Sequence, residues 1–214
     1  MTLTASSTIA DAQARQNLSS NLAALARTQP DIRPWVEETN LNVEWVLARD
    51  RTLSALHESG QWISGCSLPT KAAESMLKKL DVRGAVAGFL APTHAAQIGF
   101  ALKSMRLEQA VVAIIPEMHD LALILHCQNF SEDITSRRLW FAAGPAWEAA
   151  LEKIFANNDG LATPTQFIRL PDADNEQLEQ LITAAQKVFS ETGSARLAML
   201  QSLRETPSDI NVSK

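Results

Sequence analysis

Four short stretches place chemically useful side chains beside a proline: "SGCSLP" (64–69), "APTH" (91–94), "IPEMH" (115–119) and "AGPAW" (143–147). They offer hydroxyls (Ser64, Ser67, Thr93), imidazoles (His94, His119), a carboxylate (Glu117), an indole (Trp147) and two glycines, Gly65 and Gly144. Next to helix starts, where backbone N–H groups are unpaired and the dipole is positive, such residues suit a phosphate, pyrophosphate or carboxylate. The expected ligand contacts are Gly65, Ser67, Thr93, His94, Glu117 and Gly144. Each also has a plainer role: "SGCSLP" as a turn, His94 as a surface histidine at a helix start, Glu117 as a dipole partner. No catalytic residue is specified by these patterns.

Other motifs carry less. "SGCSLP" is neither a dinucleotide-binding nor a P-loop glycine pattern. His119 and His126 fall two helical turns apart, about 10 Å, too far to share an ion, so no metal is expected and no cofactor is implied. Asp172-x-Asp174 has the form of the metal-binding pair of many nucleotide-sugar transferases, but its place after Pro171, ahead of a long helical pattern, favours N-capping. A nucleophile elbow is absent from the sequence, and so is a Cys–His set with useful local spacing, which takes most of the support from hydrolase readings.

The elements that must position these residues follow one grammar. From Gly60 onward an apolar or small-residue segment is followed by a proline (Pro69, Pro92, Pro116, Pro145) and then by a helical pattern. Proline suits the first turn of a helix, so Pro92 is expected to start a helix that Thr93 caps. Strands alternating with helices at this spacing indicate a mainly parallel sheet, and its carboxyl edge gathers all four junctions. The first unit is the least strand-like, because Trp62 to Ser67 is a poor strand.

Upstream, Ile9 to Arg27 reads as a helix ended by Pro30 and Pro34, and "VEWVLARDRTLSAL" as a hairpin turning at Arg49-Asp50-Arg51, expected to edge the sheet. Downstream, an apolar stripe from Leu178 to Leu203 implies a long helix that Gly193 bends or divides, too long for one compact domain to cover. The fold class is therefore α/β, a three-layer Rossmann-like mainly parallel sheet with an edge hairpin and flanking N- and C-terminal helices. The expected division is a helical extension (1–35), the α/β domain (36–171), the C-terminal helix (172–206) and a flexible tail (207–214). A homodimer or a downstream domain is expected to meet the last helix through Leu178, Leu197 and Leu200.

Composition sets outer limits. The 214 residues are 46% hydrophobic and 20% charged with net charge −5, which suits a globular chain and leaves no basic footprint for nucleic acid. The longest apolar runs are far shorter than the ~20 residues of a membrane span, and the first residues do not read as a secretory signal, so a cytoplasmic location is expected. Cys66 and Cys127 are expected to form no disulfide.

"WISGCSLP", "FLAPTHAAQIGFAL", "VAIIPEMHDLALILHCQNFSEDI", "RLWFAAGPAWEAALEKIF" and "PTQFIRLP" together resemble the amino-terminal α/β region of large bacterial glycosyltransferase-like proteins, relatives of the motility-associated factor type, over about residues 42 to 170. The resemblance implies a nucleotide-sugar ligand and transferase chemistry carried further along such proteins. The Gly-Pro-Ser-type loop of that later part is missing from this sequence.

Overall fold

The computed structural model describes residues 5–63, 65–169 and 175–205. Helices α1 (Ala5–Thr28) and α2 (Ile32–Glu38) precede a hairpin, β1 (Glu44–Leu47) and β2 (Leu53–Leu56), and helix α3 (Pro69–Leu77). Then follow β3 (Val86–Leu90), α4 (Ala95–Ser104), β4 (Ala110–Ile115), α5 (Met118–Cys127), α6 (Ser131–Thr135), β5 (Leu139–Ala143), α7 (Trp147–Ala156), β6 (Gln166–Ile168) and α8 (Asn175–Glu205).

The four later strands form one parallel sheet in the order β5-β4-β3-β6. Every residue of β3 and of β4 is buried, as a parallel sheet covered on both faces requires. Alternation sorts the two faces. Ala87, Phe89, Val111, Ala113 and Phe141 pack under α4 and α5, with α1 and α2 contributing Leu25 and Val36. Val86, Leu90, Val112, Ile114 and Trp140 pack under α7 and α8. The sheet is thus the centre of three layers, and the chain reverses direction between β3 and β6, which makes their carboxyl ends a topological switch point.

The hairpin departs from expectation. It is a separate two-stranded sheet, not an edge of the parallel one, and it packs on α1, with Ala10 and Ala14 against Leu53. Trp62 to Ser67 forms no strand among its described residues beyond a single bridge between Trp62 and Leu56. The N-terminal break is also shorter than read. Pro34 lies in the first turn of α2, where its missing N–H would have no partner.

Buried amides tie α1 to the sheet layers. Asn17 Nδ2 donates to the His126 carbonyl at 2.9 Å, and Asn21 Nδ2 donates to the carbonyls of Leu125 and Gln128, both at 2.8 Å. Asn21 Oδ1 accepts the Phe130 N–H at 2.7 Å. One turn apart on α1, these two side chains satisfy the carbonyls that the end of α5 cannot satisfy itself. Gln29 does the same for the outer edge of β5, donating to the Phe141 carbonyl and accepting its N–H, so that the edge strand is not left open.

The last helix runs unbroken through Gly193, contrary to the expected bend. Leu178, Ile182, Ala185, Val188 and Phe189 face the sheet, whereas Leu197 and Leu200 are each 58% exposed. Leu178 therefore belongs to the chain's own core, and the surface open to a partner narrows to the far end of α8. Asp172, Asp174 and the 207–214 tail lie outside the described residues.

Asn21→Ala should cost about 2–4 kcal/mol in urea unfolding, because it strands two buried carbonyls and one N–H. Asn42→Ala, at an exposed position, should change stability by less than about 0.5 kcal/mol.

Candidate functional site

Three of the four proline junctions join a strand's carboxyl end to a helix start (α4, α5 and α7) and the fourth joins the hairpin to α3, and the four differ in how their N–H groups are used. Only Pro69 is itself helical, as the first residue of α3. Pro92, Pro116 and Pro145 each stop one or two residues short of the N-cap, so Pro92 does not start α4 and Thr93 does not cap it. The proline fixes the exit from the strand and leaves the cap to a residue one or two positions further on.

At α4 that residue is His94. Its Nδ1 accepts the Ala96 N–H at 3.1 Å, and Gln97 completes a capping box by accepting the N–H groups of Thr93 (2.9 Å) and His94 (3.1 Å). Gln97 also donates to Thr93 Oγ1 at 3.1 Å. Because Nδ1 accepts, the ring proton of neutral His94 is on Nε2, which finds no hydrogen-bond partner among the described residues although the side chain is 3% exposed. Burial pushes the His94 pKa down to about 4, against the opposing pull of the Asp50 carboxylate. His94 is a buried structural cap, not a surface histidine.

Asp50, at the hairpin tip, caps α3 from a distance in sequence. Its carboxylate accepts the Thr52 N–H at 3.1 Å and the Thr70 N–H at 2.9 Å. Burial raises its pKa, but the bonds from Thr52, Thr70 and Lys71 outweigh that and hold it below the ordinary value. Arg49 N–H donates to the Ser67 carbonyl at 3.1 Å, which pins the "SGCSLP" loop to the same hairpin. Gly65 is exposed with φ +69°. The hairpin tip thus holds Ser67 at the start of α3 and brings Asp50 close enough to His94 to act on its charge, and the starts of α3 and α4 are already closed by the chain's own side chains. Ser64 lies outside the described residues.

The other two starts are open. No side chain among the described residues caps α5 or α7. Glu117 is the exposed N-cap residue of α5, and Asp120 follows in its first turn, with its pKa raised by burial and by Glu117 against the lowering effect of His119. These carboxylates answer the α5 dipole. Gly144, at the end of β5, adopts φ +79°, and a Cβ there would stand 3.0 Å from Met118 Sδ. It joins the start of α7 to that of α5, so Gly144 and Glu117 form a second group apart from the Asp50 group.

Two cavities flank the start of α7. One, of about 290 Å³, is mainly apolar and lined by Ile32, Trp35, Met118, Gly144, Ala146 and Ala149. Trp35 on its wall is 62% exposed. Lys153 and Asp31 form an ion pair at this cavity. The second, of about 410 Å³, lies at the switch point and is lined by Ala91, Pro116, Trp147, Glu148, Leu178 and Leu181. Ala91 has φ +42°, a left-handed conformation that costs a non-glycine residue about 1–2 kcal/mol, so its position at the end of β3 marks stored strain.

Sequence patterns did not single out Trp35, Ala91 or Asp50. Trp35 sat in a segment read as a proline break, and backbone strain at an alanine leaves no compositional trace. Asp50 was legible only as a turn residue. Among the described residues no group of three or more His, Cys, Asp or Glu side chains could hold a metal ion. Cys66 and Cys127 form no disulfide, and burial pushes the Cys127 thiol up to about 12.

A parallel α/β sheet with a cleft at its switch point defines a Rossmann-like module. No family model matches the sequence, and no curated protein matches it. Among solved structures the fold is similar to the MAf glycosyltransferase from Magnetospirillum magneticum AMB-1, with a TM-score of 0.56 and 13% identity. The match covers 86% of this chain and 35% of that one, so the chain spans about a third of the glycosyltransferase it resembles. The resemblance read from the sequence is thereby matched at the level of fold.

The acid dependence of stability tests the His94 geometry. Its folded-state pKa lies below the ordinary 6.5, so the unfolded chain takes up the proton first. Stability is complete above about pH 6.5 and falls by roughly 3 kcal/mol as pH drops towards 4. His126, also lowered by burial, acts in the same direction. Denaturation curves from pH 7 to 4 should therefore be flatter for His94→Asn, which keeps a capping oxygen, than for the parent. Equal slopes would mean that His94 is not the group responsible.

Proposed function

We propose that this chain is the ligand-binding α/β module of a glycosyltransferase-like protein, and that its ligand is a nucleotide sugar held along the carboxyl edge of the sheet. The observation that carries the reading is the uncapped start of α7 between two cavities, one with an exposed indole and one at the strained switch point. The diphosphate lies against the α7 amides, in the place that the closed starts of α3 and α4 leave for it. The base packs in the apolar cavity beside Trp35, and the sugar reaches towards Ala91 and Trp147. Gly65, Ser67, Thr93 and His94 support this edge through the hairpin, whereas Gly144 and Glu117 border the ligand. The fold shared with a glycosyltransferase is consistent with this assignment.

A second reading is favoured by a different observation, the apolar end of α8. With Leu197, Met199 and Leu200 all exposed, this helix offers an interaction surface to a second copy of the chain or to a further domain. Light scattering should then show self-association that Leu197→Glu/Leu200→Glu removes. Its unfolding free energy should stay within about 0.5 kcal/mol of the parent, because both positions are exposed. A parent that is already monomeric would remove the second-copy form of this reading.

Calorimetry with UDP, GDP and CMP tests the first. At least one should bind at micromolar to submillimolar Kd. Trp35→Ala should weaken it by roughly tenfold or more through loss of the stacking surface, worth about 1–3 kcal/mol per base. Gly144→Ala should weaken both binding and stability, since φ +79° and the Met118 contact leave no room for a methyl group. Absence of binding by all three, or binding that Trp35→Ala leaves unchanged, contradicts the assignment.

A further inference from the structure

The opposite edge of the sheet carries a second concavity that the reading above does not use. It has a volume of about 380 Å³, within the range of small-molecule sites, and lies where β3, β4 and β5 begin. Arg137, Glu108, Asn157 and Asp159 line it, with Trp140 at its back. Glu108 pairs with Arg106 at 3.2 Å. Among the described residues the guanidinium of Arg137, the carboxamide of Asn157 and the carboxylate of Asp159 have no side-chain hydrogen bond or ion pair. Three exposed planar polar groups, none engaged by another side chain, therefore line one hollow.

Both walls are held from behind. Arg137 sits at φ +61°, a conformation unfavourable for arginine, and it is kept there by its N–H bond to the Ile134 carbonyl (3.1 Å) and by the Trp140 indole N–H, which donates to the Arg137 carbonyl at 2.9 Å. Across the hollow, Arg196 of α8 donates to the carbonyls of Phe155, Leu161 and Asn158 at 2.6, 2.6 and 2.9 Å, and Asn158 Nδ2 donates to the Ile154 carbonyl at 2.7 Å. The backbone of both walls is thereby fixed, while the side chains it carries stay free to adjust to a ligand.

The charges identify the class of ligand. Arg137 and Asp159 cancel, and Glu108 is answered by Arg106, so the hollow offers no net field for an anion. It offers instead a forked donor, a charged acceptor and an amide that does both, the set that adjacent hydroxyl groups satisfy. We propose that this cavity binds a neutral polyhydroxylated ligand, a sugar unit, at a site separate from the carboxyl edge.

Nitrogen-15 NMR titration with methyl glycosides of glucose, mannose and N-acetylglucosamine tests this, with serine as a zwitterionic control and UDP as competitor. At least one glycoside should bind at about 10 mM or tighter, a weak affinity appropriate to one small polar ligand. It should shift the amides of Arg137 and Asn158 to Leu161, and saturating UDP should not displace it. Arg137→Gly, which suits a positive φ, should melt no lower than the parent yet bind at least about tenfold more weakly, and Asp159→Asn should also weaken binding. Failure of every glycoside to bind, binding of serine alone, displacement by UDP, or full affinity in Arg137→Gly would each overturn the proposal. Because UDP is followed in the same titration, loss of this site and loss of the carboxyl-edge site give different results.

Discussion

A parallel sheet cannot leave a face to water, and most of this molecule follows from that requirement. The four strands are too short and too apolar to stand alone, and β4 is buried along its whole length. Covering both faces takes α4 and α5 on one side and α7 and α8 on the other. That arrangement forces the chain to reverse between β3 and β6 and so creates a crevice at their carboxyl ends. The outer layer of α1, α2 and the hairpin is built on the first side by amide side chains that accept or donate where a helix end or a strand edge would otherwise remain unpaired.

The same requirement to satisfy polar groups separates structural from available helix starts. Asp50 and His94 are the most conspicuous ionisable groups near the carboxyl edge, and both are committed to backbone N–H groups. An anion arriving at α3 or α4 would have to displace them. At α5 the carboxylates Glu117 and Asp120 already answer the dipole. The α7 start has Glu148 in its first turn but no side-chain cap, and Gly144, Pro145 and Ala146 bring bare backbone to it. Availability here is set by what the chain leaves undone, not by where reactive side chains accumulate.

How much of this was legible in the sequence depended on the range of the interaction. Buried runs such as "AVVAII" announced the strands, and the segment-proline-helix rhythm announced the parallel topology, because both are local patterns. The hairpin's two strands were equally plain. Its packing on α1 was not, since that depends on Ala10, Ala14 and Leu53, which are distant in sequence. His94 was singled out for the right place and the wrong reason: its spacing marked a helix start, but only the fold shows that its ring is buried and that Gln97 closes the box with it. Gly144 was singled out as a ligand contact, and its close approach to Met118 shows only in the fold. Trp35 and Ala91 were invisible, because exposure of an indole and strain at an alanine are consequences of the assembled sheet.

The central claim is a location: the ligand phosphates lie at the start of α7, between the Trp35 cavity and the switch point. Mapping amide shifts during titration of the nitrogen-15-labelled chain with UDP tests it most directly. The account predicts that the largest shifts fall on Gly144, Ala146, Glu148 and Ala149, and that the Trp35 indole resonance moves with them. Shifts confined to Thr70, Lys71, Ala95 and Ala96 would place the phosphate at the helix starts closed by Asp50 and His94, and would contradict it.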